Sequence, residues 1–347
     1  MCRRQGTAIK LRGFSLATDF LPASQILTPF RIEPRFDVRP WGFRDLRPWY
    51  DRVAADEKSL LGEVWLTGDM CLVATGEHQG KRLDEMFAAY AGALLGEKAT
   101  EAASPLLIKM LFAADKLSVQ VHPDDRMAQK YGAPRGKTEC WLALDAEPGA
   151  RLAVGLKPGV TLEQVRAQIL DGTLEESLNA VAVEKNEMIF VDAGTVHAIW
   201  PGAIILETQQ NCDLTYRMFD YGRPRELHVE KSLEATRLQT RAGKVEARQQ
   251  EDRTLLIDED YFRVERIPVE RAITGAQLCC RQRGLSYLFA AAGAGRLMGQ
   301  GMETVELPQR AIVAVPASSP EYVVENLGGL DLIRITPNWP AAQESAD

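Results

Sequence analysis

The hydrophobic positions of the chain repeat with two different periods, which separate predicted strands from predicted helices. From about residue 30 to 75, and again from 261 to 337, short apolar runs alternate with Gly and Pro, as in strands that end in turns. In residues 81–96 the apolar positions recur every three or four residues and a glycine follows the last of them, which predicts a helix. Residues 158–172 show the same period, with a capping box from Thr161 to Gln164 and a closing glycine.

The middle of the chain predicts several strands in succession. Residues 106–123, LLIKMLFAADKLSVQVHP, have the pattern of two strands joined by a turn at 114–116, and a short helix follows in DDRMAQKYG. The segments KTECWLALDA and ARLAVGL predict strands, as do EMIFVDAGTVHAIW and AIILETQQ on either side of a Gly turn. Such a series is typical of an antiparallel sandwich or jelly roll.

A charge-rich segment near residues 240–255 separates this region from the tail. We therefore predict a weakly ordered N-terminal extension (1–29), a large domain with helical insertions (30–240), to which the polar residues discussed below belong, and a C-terminal β domain (255–340). The predicted fold class is mainly β, built from jelly-roll barrels with a few inserted helices. The chain shows no βαβ alternation, no G-x-G-x-x-G and no P-loop motif, which argues against a nucleotide-binding fold.

Composition narrows the functional classes. The chain has 347 residues, 46% of them hydrophobic and 26% charged, as in an ordinary globular protein. A formal net charge of −7 argues against a general nucleic-acid binder. Six cysteines without C-x-x-C spacing are typical of a reduced protein, and no apolar run is long enough to span a membrane. We therefore expect a cytoplasmic location and no membrane partner, with the N-terminus an extension rather than an export signal.

A metal site is the hypothesis that the polar residues inside the predicted strands suggest. Gln120 and His122 are two residues apart in a strand, so their side chains share a face. Glu139 has the same opportunity from the next strand, and His197 follows a Gly turn much further along. Two imidazoles, a carboxylate and an amide oxygen suit Zn²⁺ and also fit Fe²⁺, Mn²⁺ or Co²⁺. The alternative is that each histidine is a hydrogen-bonded core or surface residue.

Five blocks of this sequence, in order, resemble the type I mannose-6-phosphate isomerases in their shorter bacterial form. They cover most of residues 41–233 and comprise LSVQVHPDD, GKTECW, AGTVHAI, LETQQNCDLTYRMFDYGR and RELHVEKSLE. The resemblance implies a cupin enzyme with one Zn²⁺ per chain, held by Gln120, His122, Glu139 and His197. It also implies interconversion of mannose 6-phosphate and fructose 6-phosphate through an enediol, and a C-terminal cupin-like domain without metal.

The resemblance assigns roles to two further residues. Arg217, in TYR, matches the family's catalytic arginine, which would stabilise an enediolate or position sugar oxygens. The alternative is an arginine paired with Asp213 or Asp220 for structure alone. Glu207, in LET, falls in the family's pocket and is the first candidate for the proton-transferring group. The alternative is a glutamate at the core edge, tied to an arginine.

Four more residues are predicted around the substrate. Lys137 stands two residues before a proposed metal ligand and Ser118 two before another, so each shares the inward face of its strand. Lys137 would reach the substrate, and Ser118 would donate to a phosphate or hydroxyl oxygen. Asp213 and Arg223 are substrate contacts by resemblance, and Arg223 would serve the phosphate as a bidentate partner.

Two alternative functions remain open from sequence. A cupin oxygenase would hold iron with two histidines and a carboxylate, although the amide ligand and the nearby cations favour a sugar phosphate. A non-catalytic sugar-binding cupin would be expected if a ligand or the catalytic arginine were missing.

Overall fold

The protein is described from a computed structural model, whose described residues are 26–96, 102–278 and 284–338. Most of the predicted N-terminal extension, together with Cys2, Cys279 and Cys280, lies outside these ranges. Across the described ranges, no helix combines the length and the apolar character that crossing a membrane requires.

Strands dominate the described residues, which confirms the predicted mainly β fold class. In chain order they are β1 (Phe30–Glu33), β2 (Arg35–Phe43), β3 (Leu61–Trp65), β4 (Leu72–Val73), β5 (Leu106–Phe112), β6 (Val119–Val121), β7 (Glu139–Ala146), β8 (Arg151–Leu156), β9 (Leu178–Ala182), β10 (Met188–Val191), β11 (His197–Ile199), β12 (Ala203–Gln210), β13 (Tyr216–Phe219), β14 (Gly243–Val245), β15 (Arg248–Gln249), β16 (Thr254–Asp258), β17 (Phe262–Pro268), β18 (Ala272–Thr274), β19 (Ser286–Met298), β20 (Val305–Leu307), β21 (Ile312–Val315) and β22 (Val323–Pro337).

The helices are short, and α3 shows how local sequence signals set the ends of a helix. They are α1 (Leu83–Leu95), α2 (Asp125–Lys130), α3 (Leu162–Asp171), α4 (Val229–Ala235) and α5 (Gly275–Leu278), with a 3-10 helix at Leu174–Ser177. In α3 the Thr161 hydroxyl accepts from the Gln164 N–H, and the Gln164 side chain accepts from the Thr161 N–H. Gly172 then ends the helix in the left-handed conformation, with φ of 81°. The predicted capping box is therefore confirmed.

Within the part of the chain that the structure describes, three antiparallel sheets form the scaffold, and two of them enclose the candidate site. The seven-stranded sheet has the order β14-β10-β7-β12-β5-β3-β2, and the five-stranded sheet the order β13-β6-β11-β8-β9. One apolar cluster contains residues of both sheets, among them Trp141, Ile205 and Ile199, and therefore lies between them. A second cluster joins the other face of the seven-stranded sheet to the ten-stranded sheet of the tail. The central strands β7, β12 and β5 of the seven-stranded sheet are thus buried on both faces.

The division of the chain at residues 240–255 does not follow the sheets. β1 and β4, from the N-terminal part, pair with each other, and β1 also pairs with β21 of the tail. The charge-rich segment itself contains β14, which pairs with β10, and β15, which pairs with β16. Strand pairing between remote segments leaves no signal in local composition, so the sheets could not be predicted from the charge-rich segment. The predicted domain limits themselves stay a prediction.

Candidate metal centre and surrounding polar cluster

Strand register brings the four predicted metal ligands together. His197 of β11 lies directly opposite Gln120 of β6. His122 follows β6 on the same side as Gln120, and Glu139 begins β7 in the facing sheet. The Nε2 atoms of His122 and His197 lie 3.8 and 3.4 Å from the Glu139 carboxylate oxygens. Gln120 Nε2 is 3.3 Å from His197 Nε2.

The hydrogen bonds of the two imidazoles leave their Nε2 lone pairs facing the centre. His122 Nδ1 donates to the Leu214 carbonyl at 3.0 Å, and His197 Nδ1 donates to the Thr195 carbonyl at 2.9 Å. A carbonyl only accepts, so each ring carries its proton on Nδ1. Burial lowers the pKa of both rings, that of His197 to about 4, so both are neutral near neutral pH.

The centre contains buried polar atoms with no hydrogen-bond partner among the described residues. They are His122 Nε2 and Glu139 Oε1, whereas Glu139 Oε2 forms an ion pair with the Lys137 ammonium at 3.1 Å. Unsatisfied buried acceptors are costly and rare, so their convergence needs an explanation. Each of His122, Glu139 and His197 offers a ligand atom within 4.8 Å of the others, and all three are buried. This donor set fits a divalent cation that accepts nitrogen and oxygen ligands.

Ser118 immediately precedes β6 and contacts the side chain of Gln120 in that strand. The Ser118 hydroxyl is buried and lies 3.4 Å from Gln120 Oε1, to which it donates. Rotating the Gln120 amide by half a turn exchanges its nitrogen and oxygen, and places Oε1 beside His197 Nε2. In the structure the Ser118 hydroxyl supports the Gln120 amide, and its contact with the substrate stays a prediction.

Lys137 and Glu207 lie beside the metal centre. The Lys137 ammonium is buried, 3.1 Å from Glu139. Burial alone would lower the pKa of Lys137, but the carboxylates of Glu139 and Glu207 outweigh it and raise the pKa above its ordinary value. In Glu207 the opposite balance holds, because burial and the charge of Glu139 raise its pKa to about 7. Its partners are Trp141, whose Nε1 donates to Oε1 at 3.2 Å, and Lys109, 3.9 Å away, rather than an arginine.

Lys109 is the residue of this cluster that the sequence analysis missed. It lies on β5 directly opposite Glu207, and its ammonium, almost fully buried, donates to Asp213 at 3.1 Å. Glu63 stands 3.7 Å away on its other side, and the Trp65 ring lies beneath it, 4.6 Å from the ammonium to the ring centroid. A lysine at the centre of the apolar run LLIKMLF was the available signal, because a buried charge in a strand is rare unless it is paired.

Glu63 is the second residue missed, in the strand LGEVW. Its carboxylate accepts from Arg39 at 2.9 Å and from Trp65 Nε1 at 2.7 Å. Burial by itself would raise the pKa of Glu63, but the cations Lys109 and Arg39 lower it to about 2. The polar cluster thus contains alternating positive and negative side chains that extend from the metal centre across the inner face of the seven-stranded sheet.

Of the remaining predicted residues, Arg217 and Asp213 lie at the cluster and Arg223 does not. Arg217 is directly opposite Gln120 in the β13–β6 pair and therefore shares its face. Among the described residues it forms no ion pair with Asp213 or Asp220; its guanidinium donates to the Glu226 carbonyl at 3.1 Å.

The guanidinium of Arg223 has three acceptors within the protein, and its role in binding phosphate stays a prediction. Its guanidinium bonds Asp220 at 3.1 Å, Asp115 at 2.6 Å and the Lys116 carbonyl at 2.8 Å. These last two partners lie in the turn before β6, at the opposite end of that strand from His122. Three acceptors within the protein already occupy the fork that was expected to bind phosphate.

Asp125, the second aspartate of HPDD, links the segments that carry these residues. Its Oδ1 accepts from the Gly136 N–H at 2.7 Å and from Gln210 Nε2 at 2.9 Å. Its Oδ2 accepts from the Tyr261 hydroxyl at 2.7 Å, so the tail of the chain also reaches this network. Gly136 leaves no room for a side chain, because a Cβ atom there would lie 2.5 Å from the backbone of Asp124.

Comparison with known proteins gives one consistent result. The catalytic domain of phosphomannose isomerase type I matches residues 30–148. A mannose-6-phosphate isomerase of Streptococcus mutans is 31% identical over 297 residues, which cover 82% of this chain and 89% of that protein.

Solved structures agree with this result. The crystal structure of the mannose 6-phosphate isomerase from Bacillus subtilis superposes with a TM-score of 0.77 at 26% identity, and covers 89% of this chain and 99% of that one. A zinc-bound mannose 6-phosphate isomerase shares the fold at 15% identity, with a TM-score of 0.71 over 90% of this chain and 100% of that one.

Proposed function

This chain belongs to the type I phosphomannose (mannose-6-phosphate) isomerase family, and from that premise we propose that it interconverts mannose 6-phosphate and fructose 6-phosphate. The observation that carries the proposal is the convergence of buried ligand atoms of His122, Glu139 and His197, among which His122 Nε2 has no hydrogen-bond partner in the described residues. Beside them stands a carboxyl, Glu207, whose pKa of about 7 suits proton transfer at neutral pH.

We propose that Gln120, His122, Glu139 and His197 hold one Zn²⁺. The mixed nitrogen and oxygen donors without thiolate support this choice, as does the zinc-bound relative of the same fold. A divalent ion bound there would supply Lewis-acid polarisation of the sugar oxygens at C1 and C2. The Nδ1–H bonds to the Leu214 and Thr195 carbonyls would fix both imidazoles in the orientation that binding requires.

The reaction moves a proton between C1 and C2 of the sugar through an enediol. We propose that Glu207 is the base that transfers this proton. A base works best when its pKa lies near the operating pH, and burial gives this carboxyl a pKa of about 7. The Trp141 N–H and the Lys109 ammonium would hold it in place while it takes the proton from one carbon and returns it to the other.

Negative charge develops on the sugar oxygens as the proton leaves, and we propose that three cations stabilise it. Lys137 is buried beside Glu139, and Lys109 bridges Glu207 and Asp213. Arg217 shares the face of Gln120 across β13 and β6. In a site shielded from water, such preorganised charges act more strongly than they would in solution. Asp213 is proposed to contact the substrate together with Lys109.

The test is a coupled assay that follows mannose 6-phosphate conversion to fructose 6-phosphate, before and after treatment with a chelator. We expect turnover to disappear with the metal and to return with Zn²⁺. His122→Ala and His197→Ala should each abolish metal retention, whereas Arg217→Ala should keep the metal and lose turnover. His78→Ala is the matched control, because His78 lies away from the site against the Tyr90 ring. Bound iron with oxygen consumption, and no isomerase activity, would contradict the proposal.

Two wider expectations belong to the same proposal. The predicted catalytic and C-terminal domains would correspond to the barrel around the polar cluster and to the tail strands that pack against it. A cytoplasmic location is supported by the cysteines of the described residues, Cys71, Cys140 and Cys212, all of them free and buried. Cell fractionation would test the location.

A further inference from the structure

The backbone of Arg217 is held by one residue, His228, from beyond the next turn. β13 is an edge strand of its sheet, so one side of it has no strand partner among the described residues. On that side the Arg217 N–H donates to His228 Nδ1 at 3.1 Å, and the His228 N–H donates to the Arg217 carbonyl at 2.8 Å. A single residue therefore satisfies both backbone groups of Arg217.

The guanidinium of Arg217 is held by the same segment. Its NH1 donates to the Glu226 carbonyl at 3.1 Å, two residues before His228. The chain returns through a turn at Tyr221 and Gly222, whose φ angles are 54° and 80°, and His228 then stands immediately before α4. His228 is the N-cap residue of α4, so the hydrogen bonds that hold Arg217 come from a residue at the start of a helix rather than from a free loop.

The protonation of His228 is dictated by this contact. A backbone N–H only donates, so Nδ1 must carry a lone pair, and the ring must be the neutral tautomer with its proton on Nε2. Burial, together with the charges of Arg217 and Lys231, lowers the pKa of His228, against a smaller opposing effect of Glu226. These surroundings keep the acceptor available at neutral pH.

We propose that His228 is a positioning residue for catalysis: its imidazole fixes the β13 backbone so that the Arg217 guanidinium faces the sugar. The inference rests on the proposed function and deepens it. Arg217 is opposite Gln120, and the register between β13 and β6 shifts immediately after Arg217. Pairing with β6 alone would therefore not fix the distance between the Arg217 guanidinium and the metal centre. Misplacing a group that acts on developing charge by about 1 Å can cost on the order of 100-fold in rate.

The test compares His228→Asn with His228→Leu, two side chains of similar size of which only asparagine retains an acceptor. We expect His228→Leu to lower kcat about 10-fold or more with KM nearly unchanged, because Arg217 acts on the transition state. His228→Asn should restore kcat to within about threefold of the unmutated enzyme. Metal content and Tm should be equal in the two variants, and His78→Leu should behave as the unmutated enzyme.

A double variant supplies the second measurement. If His228 acts through Arg217, adding His228→Leu to Arg217→Ala should reduce kcat no further. An independent, multiplicative loss would overturn the proposal, as would full kcat in His228→Leu or equal losses in the Leu and Asn variants. Should His228→Leu fail to fold, His228→Ala replaces it in the same comparisons.

Failure of the wider proposal would be distinguishable. If the unmutated enzyme does not convert mannose 6-phosphate, the proposed function falls and this inference falls with it. If it does convert the sugar and Arg217→Ala does not, the proposed function stands, and the His228 variants alone decide the positioning role.

Discussion

Replacing Lys109 with methionine should destabilise the protein in a way that depends on pH. The change removes the ammonium and keeps most of the side-chain volume, and leaves Glu63 and Glu207 buried without it. At an effective dielectric constant of 20, charges 3.9 Å apart attract by about 4 kcal/mol, an upper bound because the half-exposed Asp213 shares the ammonium. Breaking a buried ion pair typically costs about 3–5 kcal/mol.

The sign of the pH effect follows from Glu207. Its pKa in the folded protein, about 7, exceeds the ordinary 4.5, so the folded state binds more protons between these values and stability falls as the pH rises through them. That fall amounts to about 3 kcal/mol for a shift of this size. Without Lys109 the pKa of Glu207 should rise further, and the fall should continue above pH 7.

The assay is urea unfolding of the chelator-treated protein, followed by tryptophan fluorescence. We expect Lys109→Met to lower the free energy of unfolding more at about pH 8 than at about pH 5, where Glu207 is protonated and needs no cation, by at least about 1.4 kcal/mol. Lys185→Met is the matched control, because Lys185 also lies 3.9 Å from a carboxylate, that of Asp145, but both side chains are exposed. Equal losses at both pH values, or equal losses in the two variants, would refute the reasoning.

Three further predictions test the residues around the metal centre. Glu207→Gln should retain the metal and lose at least about 100-fold in kcat, and kcat/KM of the unmutated enzyme should rise with pH through about 7, because the carboxylate is the active form. Gly136→Ala should lower metal content, measured by elemental analysis, because the new Cβ would lie 2.5 Å from the backbone that leads into α2. Tyr261→Phe should lower the free energy of unfolding by about 1–3 kcal/mol in urea, since the hydroxyl that donates to the Asp125 carboxylate is lost.

Each of these predictions has an outcome that would contradict it, and the last two have control variants within the chain. A flat pH profile around neutrality would contradict the role of Glu207. Gly92→Ala should leave metal content unchanged, because Gly92 has open space around its Cβ position and lies in α1. Tyr131→Phe should cost less than Tyr261→Phe, because the Tyr131 hydroxyl bonds Glu234 at an exposed site; equal losses would show that the Asp125 network adds nothing.

Helices, strands and the metal centre could be predicted where the signal lies in residues close together in sequence, or where a short motif contains several potential ligands. The capping box of α3 and the paired inward positions of Gln120 and His122 depend on residues two or three apart, and the structure has both. α4 was missed, because its N-cap position holds His228 and makes no side-chain capping bond.

The inner polar cluster was harder to predict, since a strand residue has no fixed surroundings until its neighbours are known. Lys109 is a single charged residue in an apolar segment of the sequence. Only the pairing of β5 with β12 and β3 places it between Glu207 and Trp65. Arg223 was predicted from a family resemblance alone, and the turn before β6 supplies the acceptors that bind it.

By itself, the sequence determined the mainly β architecture, the capped ends of α3 and the donor types of the metal centre, because periodicity, capping and ligand chemistry belong to short stretches of chain. Only the tertiary structure decided which charges share the pocket, that β1 joins the sheet of the tail, and that Glu207 has a pKa near 7. Burial and the distances between charges set these properties, and both depend on contacts between residues as far apart as Lys109 and Asp213.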